Sequence, residues 1–306
     1  MPPPDDLLTA DPLVVLEPAA PAAADAPARK KGALGIGGWL CATWLLLVVG
    51  SAVLAPILPI EDPEKVNFTL REATPPFSKG ALLGTDDFGY DILARLIWGS
   101  RVSLTVALGV VGVGMVVGGL IGLLAGYYGG RVETVLMGVI DILLAFPALI
   151  ALIALTAILG GPGLRTVVVG ISLISIPAFA RISRATTLAF AQREFVLAAR
   201  AAGATNARII RLEVLPNVMF PVAAYALIVI GVAIVAEGSL AFLGLSVPSP
   251  QPSWGSMIDG GRTALTVDGI LFISLIPAVV MFLTVLSINF LGDRLRARFD
   301  VRESSL

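Results

Sequence analysis

EFVLAARAAGATNARIIRLEVLPN, residues 194–217, is polar, basic and helix-prone, yet strongly apolar runs lie on both sides of it. A segment of that kind between such neighbours is an aqueous loop held by a membrane protein, and this decides the fold class. Composition agrees: 57% of the residues are hydrophobic, 14% are charged and the mean hydropathy is +0.91, more apolar surface than a soluble chain of 306 residues can hide. Backbone groups in lipid find no water, so each crossing must be helical and the expected fold is an all-α polytopic membrane protein.

A crossing needs about 20 mostly apolar residues, and six stretches qualify as transmembrane helices: 32–60, 102–130, 135–160, 166–180, 218–245 and 269–292. The fourth is short, with Arg165 and Arg181 at its ends placed to snorkel to the interfaces. Residues 1–31, rich in Pro, Ala and Asp, read as a disordered cytoplasmic N-terminal extension. Arg29, Lys30 and Lys31 before the first apolar run read as the flank of an uncleaved anchor rather than of a late signal peptide, because the run exceeds a signal core in length. Residues 61–101 form the longest segment on the other side, where Ile92, Leu93, Leu96 and Ile97 suggest an amphipathic helix lying at the interface. The five-helix core occupies 102–292 with the large loop at 183–217, and 293–306 is a C-terminal tail. Placing the N-terminus in the cytoplasm puts fourteen Lys and Arg inside and seven outside, so both termini and the 194–217 segment are expected to be cytoplasmic.

The same residues bound the chemistry. Histidine is absent, which removes imidazole bases, the usual triads and His-containing zinc sites. The single Cys41, in an apolar run, reads as a buried thiol. A phosphate-binding loop needs Gly-Lys followed by Ser or Thr, whereas the four lysines are followed by Lys31, Gly32, Val66 and Gly80. Neither catalytic nor metal-binding residues are expected, no cofactor is expected on this chain, and nucleic acid is not an expected partner. Asp141 and Glu237 are the acids within predicted spans; such acids are functional suspects, although no chain of titratable groups accompanies them to relay protons. Asp86, Asp87 and Asp91 read as turn and cap residues.

Two patterns point to packing and docking. Gly114, Gly118, Gly122 and Gly126 recur every fourth residue, a ridge on one helix face that lets a second helix approach closely, within this chain or from another subunit. In the large loop Phe195, Val196, Ala198, Ala199 and Ala202 form a small apolar face surrounded by Arg193, Arg200, Arg208 and Arg211. Pattern alone leaves a docking site and a solvated loop helix equally open.

The order Ala198-Ala199, Gly203, Leu215-Pro216 resembles the coupling loop of ATP-binding-cassette importer permeases, with Leu197 and Glu213 standing where the family signature has Glu and Ile. Gly84 to Asp91, GTDDFGYD, resembles the segment preceding the permease core in the dipeptide, oligopeptide and nickel branch, with Tyr90 in place of the common Arg. EGSLAFLGLSVPSPQPSWGSMI, residues 237–258, and GDRLRARFDVR, residues 292–302, resemble further runs of that branch in the same order. The resemblance, to the second permease subunit of dipeptide systems, implies a type I (MetI-like) core and ATP-driven, binding-protein-dependent import of di- or oligopeptides across a bacterial inner membrane. It implies that Glu194, Ala198, Ala199, Gly203, Leu215 and Pro216 meet the ATPases. It also implies four kinds of partner: a homologous second permease, two ATPase subunits or domains carrying ATP and Mg, an extracytoplasmic binding protein, and the lipid membrane. A stand-alone secondary transporter or channel is the alternative, and it would work without any ATPase.

Overall fold

The computed structural model describes residues 35–66, 73–78 and 81–303; the expected N-terminal extension at 1–31 lies outside them. Beyond isolated bridges at Ser78–Ala81 and Thr85–Asp91, the described residues form helices, turns and loops. We number the helices α1 Gly35–Leu54, α2 Ile92–Tyr128, α3 Gly130–Ala145, α4 Ala148–Ile158, α5 Leu164–Ala191, α6 Glu194–Ala201, α7 Asn206–Phe242, α8 Trp254–Thr263 and α9 Phe272–Glu303.

Five of these, α1, α2, α5, α7 and α9, are long and apolar enough to cross a membrane. The sixth crossing is the bent pair α3 and α4, which meet at 89°. Tyr127 Oη donates to Asn206 Oδ1 at 3.0 Å, so the end of α2 and the start of α7 share one end of the bundle. The end of α5, joined to α7 through a short corner, lies at that end too. The chain therefore enters α3 at this end and enters α5 at the other, which makes α3–α4 one complete, broken crossing.

Helix boundaries differ from the sequence expectation where polar residues extend an apolar core. The interfacial helix expected within 83–101 is, from Ile92 onward, the first three turns of α2 itself, with Ile92 and Ala94 buried rather than facing lipid. Asp91 starts it by accepting the Ala94 N–H at 2.7 Å, an N-cap. The fourth span is not confined to 166–180: α5 has 28 residues, and Arg181 sits well inside it instead of at its end. The large loop expected at 183–217 is mostly helix, with non-helical backbone limited to 192–193 and 202–205. Leu215 and Pro216 lie within α7, just after a π-turn at Ile210–Val214. Pro216 cannot donate to the preceding turn, and a widened turn accommodates its ring; the Asn217 side chain donates to the Glu213 carbonyl at 2.5 Å. Finally, α9 runs through the expected tail to Glu303.

The core sits where α2, α5 and α7 meet, with Val106, Val110, Phe179, Ile234 and Trp254 fully buried. The closest seam is α2 on α5. All four ridge glycines face it: Cβ atoms on Gly114, Gly118, Gly122 and Gly126 would fall within 2.2–2.7 Å of α5 atoms. Ser183 Oγ adds a hydrogen bond to the Gly119 carbonyl at 2.7 Å. With no hydrophobic force between helices in lipid, such close contact and interhelical hydrogen bonding hold them together. On the periphery, Trp44 Nε1 donates to Thr284 Oγ1 at 3.1 Å, fixing α1 to α9.

Candidate functional site

At one end of the bundle the α5–α7 corner projects α6. Arg193 takes an extended conformation (φ −73°, ψ 153°) that turns the chain out of α5. Eight residues later α6 is stopped by two bonds, Gly203 N–H to Arg200 O at 3.0 Å and Ala204 N–H to Ala199 O at 3.1 Å. These are the two bonds of a Schellman stop, and Gly203 supplies its left-handed residue with φ +82°. A Cβ at Gly203 would meet nothing within 4 Å, so backbone conformation, not space, favours glycine here. Thr205 Oγ1 then accepts the Arg208 N–H at 3.4 Å and opens α7.

Burial sorts the residues of this corner. Val196 is fully buried together with Ile209 and Val214, and it anchors α6 to the core instead of joining a docking face as its neighbours suggested. Ala199 turns the same way and is half-buried, as is Leu215. Glu194, Phe195, Leu197, Ala198, Ala202, Gly203 and Pro216 are exposed. The outward face is thus small and apolar with one acid at its start, and Arg193, Arg200, Arg208 and Arg211 are exposed around it.

At the opposite end two separate sequence runs come together. Asp86 Oδ1 accepts the N–H groups of Phe88 at 3.0 Å and Tyr90 at 2.9 Å, folding residues 84–91 into a compact turn. That turn and residues 244–261 enclose a cavity of about 310 Å³, bordered by Asp86, Asp87, Arg95, Ser246, Gln251 and Asp259. Burial pushes the Asp86 carboxyl above the ordinary carboxylate range, more than the Tyr90 N–H, the Arg95 charge and the Phe88 N–H pull it down. Burial, then the Asp268 charge, raises Asp87 as well. Arg95 lies 4.4 Å from the Tyr90 ring centroid and reaches the carbonyls of Pro63 and Pro250, each at 3.4 Å.

Below the cavity a hydroxyl network surrounds Glu237, which is fully buried. Ser246 Oγ donates to Glu237 Oε1 at 2.6 Å, Ser103 Oγ donates to Oε2 at 3.2 Å, and the Trp254 N–H donates to Ser103 Oγ at 3.3 Å. One carboxylate therefore joins α2, α7, the following loop and the start of α8. The sequence marked Glu237 as an acid in an apolar run, but it did not show these partners. Nor did it single out Ser103, Ser246 or Arg95 as binding groups; a serine or arginine inside an otherwise apolar helical run is the signal that was available.

Asp141 is not isolated in its span. Arg181 Nη2 donates to Asp141 Oδ1 at 2.9 Å, joining α3 to α5, and one turn away Arg184 pairs with Glu133.

Residues 118–304 match the family described as binding-protein-dependent transport system inner membrane component. The chain is 38% identical to the di/tripeptide transport system permease protein DppC of Pseudomonas aeruginosa over 89% of each chain. It is 36% identical to the glutathione transport system permease protein GsiD of Pectobacterium atrosepticum over 86% of each. Among solved structures, an inward-facing MetNI methionine ABC transporter shares the fold with a TM-score of 0.56 at 21% identity, over 67% of this chain and 97% of that one. An amino acid ABC transporter gives a TM-score of 0.52 at 18% identity over 67% and 94%. A six-crossing helical core, signature runs at both of its ends and a family match over more than half of the length agree: this chain belongs to the family of binding-protein-dependent transport system inner membrane components.

Proposed function

We propose that this chain is one of two permease halves of an ATP-driven importer of short peptides, and that α6 is the surface through which cytoplasmic ATPases act on it. The observation that carries the reading is the construction of α6: a short helix stopped at Gly203, pinned from beneath by buried Val196 and presenting an exposed apolar face at the end of the bundle. A solvated loop has no need of such an anchor. The di/tripeptide and glutathione names of the relatives support short peptides as cargo. Both termini and α6 are then cytoplasmic, in accord with the excess of Lys and Arg on that side. The turn at residues 84–91 and the cavity beside it face a binding protein that delivers peptide. ATP and Mg sit on the ATPases; closure of these moves the α6 corners of the two permeases, and hydrolysis resets them. The chain itself conducts and couples and performs no covalent chemistry.

The test is reconstitution of the purified complex in vesicles, with peptide uptake, peptide-stimulated ATP hydrolysis and subunit stoichiometry measured together. Ala198→Asp places a charge on the exposed face of α6 while leaving Val196 in place. Uptake should fall at least tenfold with either loss of the ATPases or unstimulated hydrolysis. Full stoichiometry with normal stimulated hydrolysis and uptake would refute α6 as the transmission surface. Uptake by the chain alone would refute dependence on ATPases.

A further inference from the structure

Residues 55–64, the loop that leaves α1, run beside the first turns of α2 at the end of the bundle opposite α6. Arg95 fixes the loop there by reaching the carbonyls of Pro63 and Pro250, each at 3.4 Å. Between loop and helix lies a cleft of about 660 Å³, which shares only Gln251 with the cavity beside residues 84–91. Its size falls in the range of about 300–1,000 Å³ usual for small-molecule sites.

The two walls of this cleft carry opposite charge. On α2 it is lined by Trp98, Arg101, Val102 and Thr105, the i, i+3, i+4, i+7 spacing of one helix stripe. The Arg101 guanidinium lies 4.9 Å from the Trp98 ring centroid, a contact that steadies the cation without neutralising it. On the loop, Glu61, Asp62 and Glu64 line the cleft and are exposed. Asp62 Oδ1 accepts the Glu64 N–H at 2.9 Å, which gathers the acids into one turn. Glu64 also interacts with the Arg95 charge, so Glu61 and Asp62 are the less committed carboxylates. Lys65, next in sequence, is not part of the wall.

Elsewhere in the chain Arg181 and Arg184 each close on a carboxylate. Arg101 does not: among the described residues it forms no ion pair, although three carboxylates share its cleft. A cation and carboxylates that line one cleft without meeting offer one partner to an anion and another to a cation. A guanidinium takes a carboxylate or phosphate through two parallel N–H bonds, and a carboxylate takes an ammonium. A guest with a single charge is drawn to one wall and repelled by the other, whereas a zwitterion satisfies both.

We infer that this cleft binds a zwitterion, with its anionic oxygens on Arg101, its ammonium on Glu61 and Asp62, and its apolar part against Trp98 and Val102. Two sources carry that chemistry, a free short peptide and the headgroup of phosphatidylethanolamine. The zwitterion rests on the residues of the cleft; only the peptide source rests on the function proposed above.

The permease–ATPase complex is tested in lipid nanodiscs without binding protein, with Cys41→Ala and Thr105→Cys in this chain. The rate at which a water-soluble maleimide labels position 105 reports occupancy, and Val267→Cys, exposed and outside the cleft, is the control. In phosphatidylglycerol discs, added dialanine should slow labelling at position 105 at least threefold and leave position 267 unchanged; this assigns the site to peptide. The same slowing on exchange of phosphatidylglycerol for phosphatidylethanolamine, with no peptide added, assigns it to the headgroup, and either result upholds the zwitterion. Arg101→Gln should raise the half-protecting amount at least tenfold, Arg101→Lys should recover part of that loss, and Glu61→Gln with Asp62→Asn should weaken protection likewise. Amidated dialanine should protect at least tenfold less than dialanine, and amidation should cost nothing further in Arg101→Gln. Protection by neither source, protection unaltered by Arg101→Gln, or no labelling of position 105 in phosphatidylglycerol discs would overturn the inference. Failure of dialanine beside success of phosphatidylethanolamine would remove the peptide source alone, while the importer reading stands or falls on ATP-driven uptake in vesicles.

Discussion

Replacing Gly122 with alanine should loosen the bundle more than a one-carbon change ordinarily does. Its Cβ would lie 2.2 Å from the Ala180 carbonyl oxygen, 2.7 Å from the Arg184 nitrogen and 2.7 Å from Ser183 Cβ. Two of the three neighbours are backbone, so no rotamer change relieves the contact. Restoring ordinary separation near 3.4 Å requires α2 and α5 to part by about 1.2 Å, and a gap of 0.5–1 Å already forfeits roughly a quarter to a half of each dispersion contact along the seam. Overpacking of this kind costs about 1–3 kcal/mol, and a rigid backbone neighbour puts the value near the top of that range. Parting the helices also stretches the Ser183–Gly119 hydrogen bond, worth about 1 kcal/mol. The expected total, about 3–4 kcal/mol, is a few-hundred-fold change in the folded-to-unfolded ratio at about 1.4 kcal/mol per tenfold. Gly112→Ala is the matched control: the same helix and the same change, with nothing within 4 Å of the new carbon. It should be neutral or slightly stabilising, because alanine is the better helix former by about 0.5–1 kcal/mol. Thermal melting of the detergent-solubilised complex and its yield after extraction compare the two. Equal melting points and equal yields for Gly122→Ala and Gly112→Ala would refute the seam.

At Gly203, Asn should be tolerated and Val should not, because Asn accepts left-handed backbone while a branched residue is strained there by about 1–2 kcal/mol; stimulated hydrolysis in vesicles should be near normal for Gly203→Asn and lost for Gly203→Val, and identical behaviour would show that the left-handed stop is dispensable. Glu237→Ala leaves two buried hydroxyls without their acceptor, each at about 1–3 kcal/mol, whereas Glu237→Gln keeps an oxygen for one and offers an N–H to the other. The alanine variant should melt well below the glutamine variant, and coincident melting curves would show that the network does not hold this end together. Burial raises the Asp86 pKa in the folded protein above its ordinary value of 3.8, so the folded state binds the proton more tightly and stability declines as pH rises from 3.8 through the raised value. Asp86→Asn keeps an oxygen for the Phe88 and Tyr90 N–H groups and should flatten that decline, measured as melting temperature against pH; an unchanged slope would refute Asp86 as its source.

How much of this was legible in the sequence follows from the range of the forces involved. Apolar run length located the six crossings, because lipid penalises every unsatisfied backbone group within a fixed thickness. It placed their ends poorly, since helix hydrogen bonding continues through polar residues wherever protein covers them. Arg95 lies inside α2 because Tyr90 and two carbonyls receive it, and α5 passes Arg181 and Arg184 because Asp141 and Glu133 meet them from α3. No local pattern records such pairings, whose members are 40 and 51 residues apart. The glycine spacing foretold a close helix contact but left its partner open between this chain and another subunit; the seam on α5 resolves that. In the corner, alternating small and apolar residues announced a face without saying which way it turns. Val196 points inward because Ile209 and Val214 of the following helix complete a buried cluster with it, a long-range circumstance that leaves Phe195, Leu197 and Ala198 outside. What the sequence could not supply was the break at Phe146. Pro147 announces an interruption, but it does not announce the 89° turn, after which Leu152 lies against Gly170 of α5.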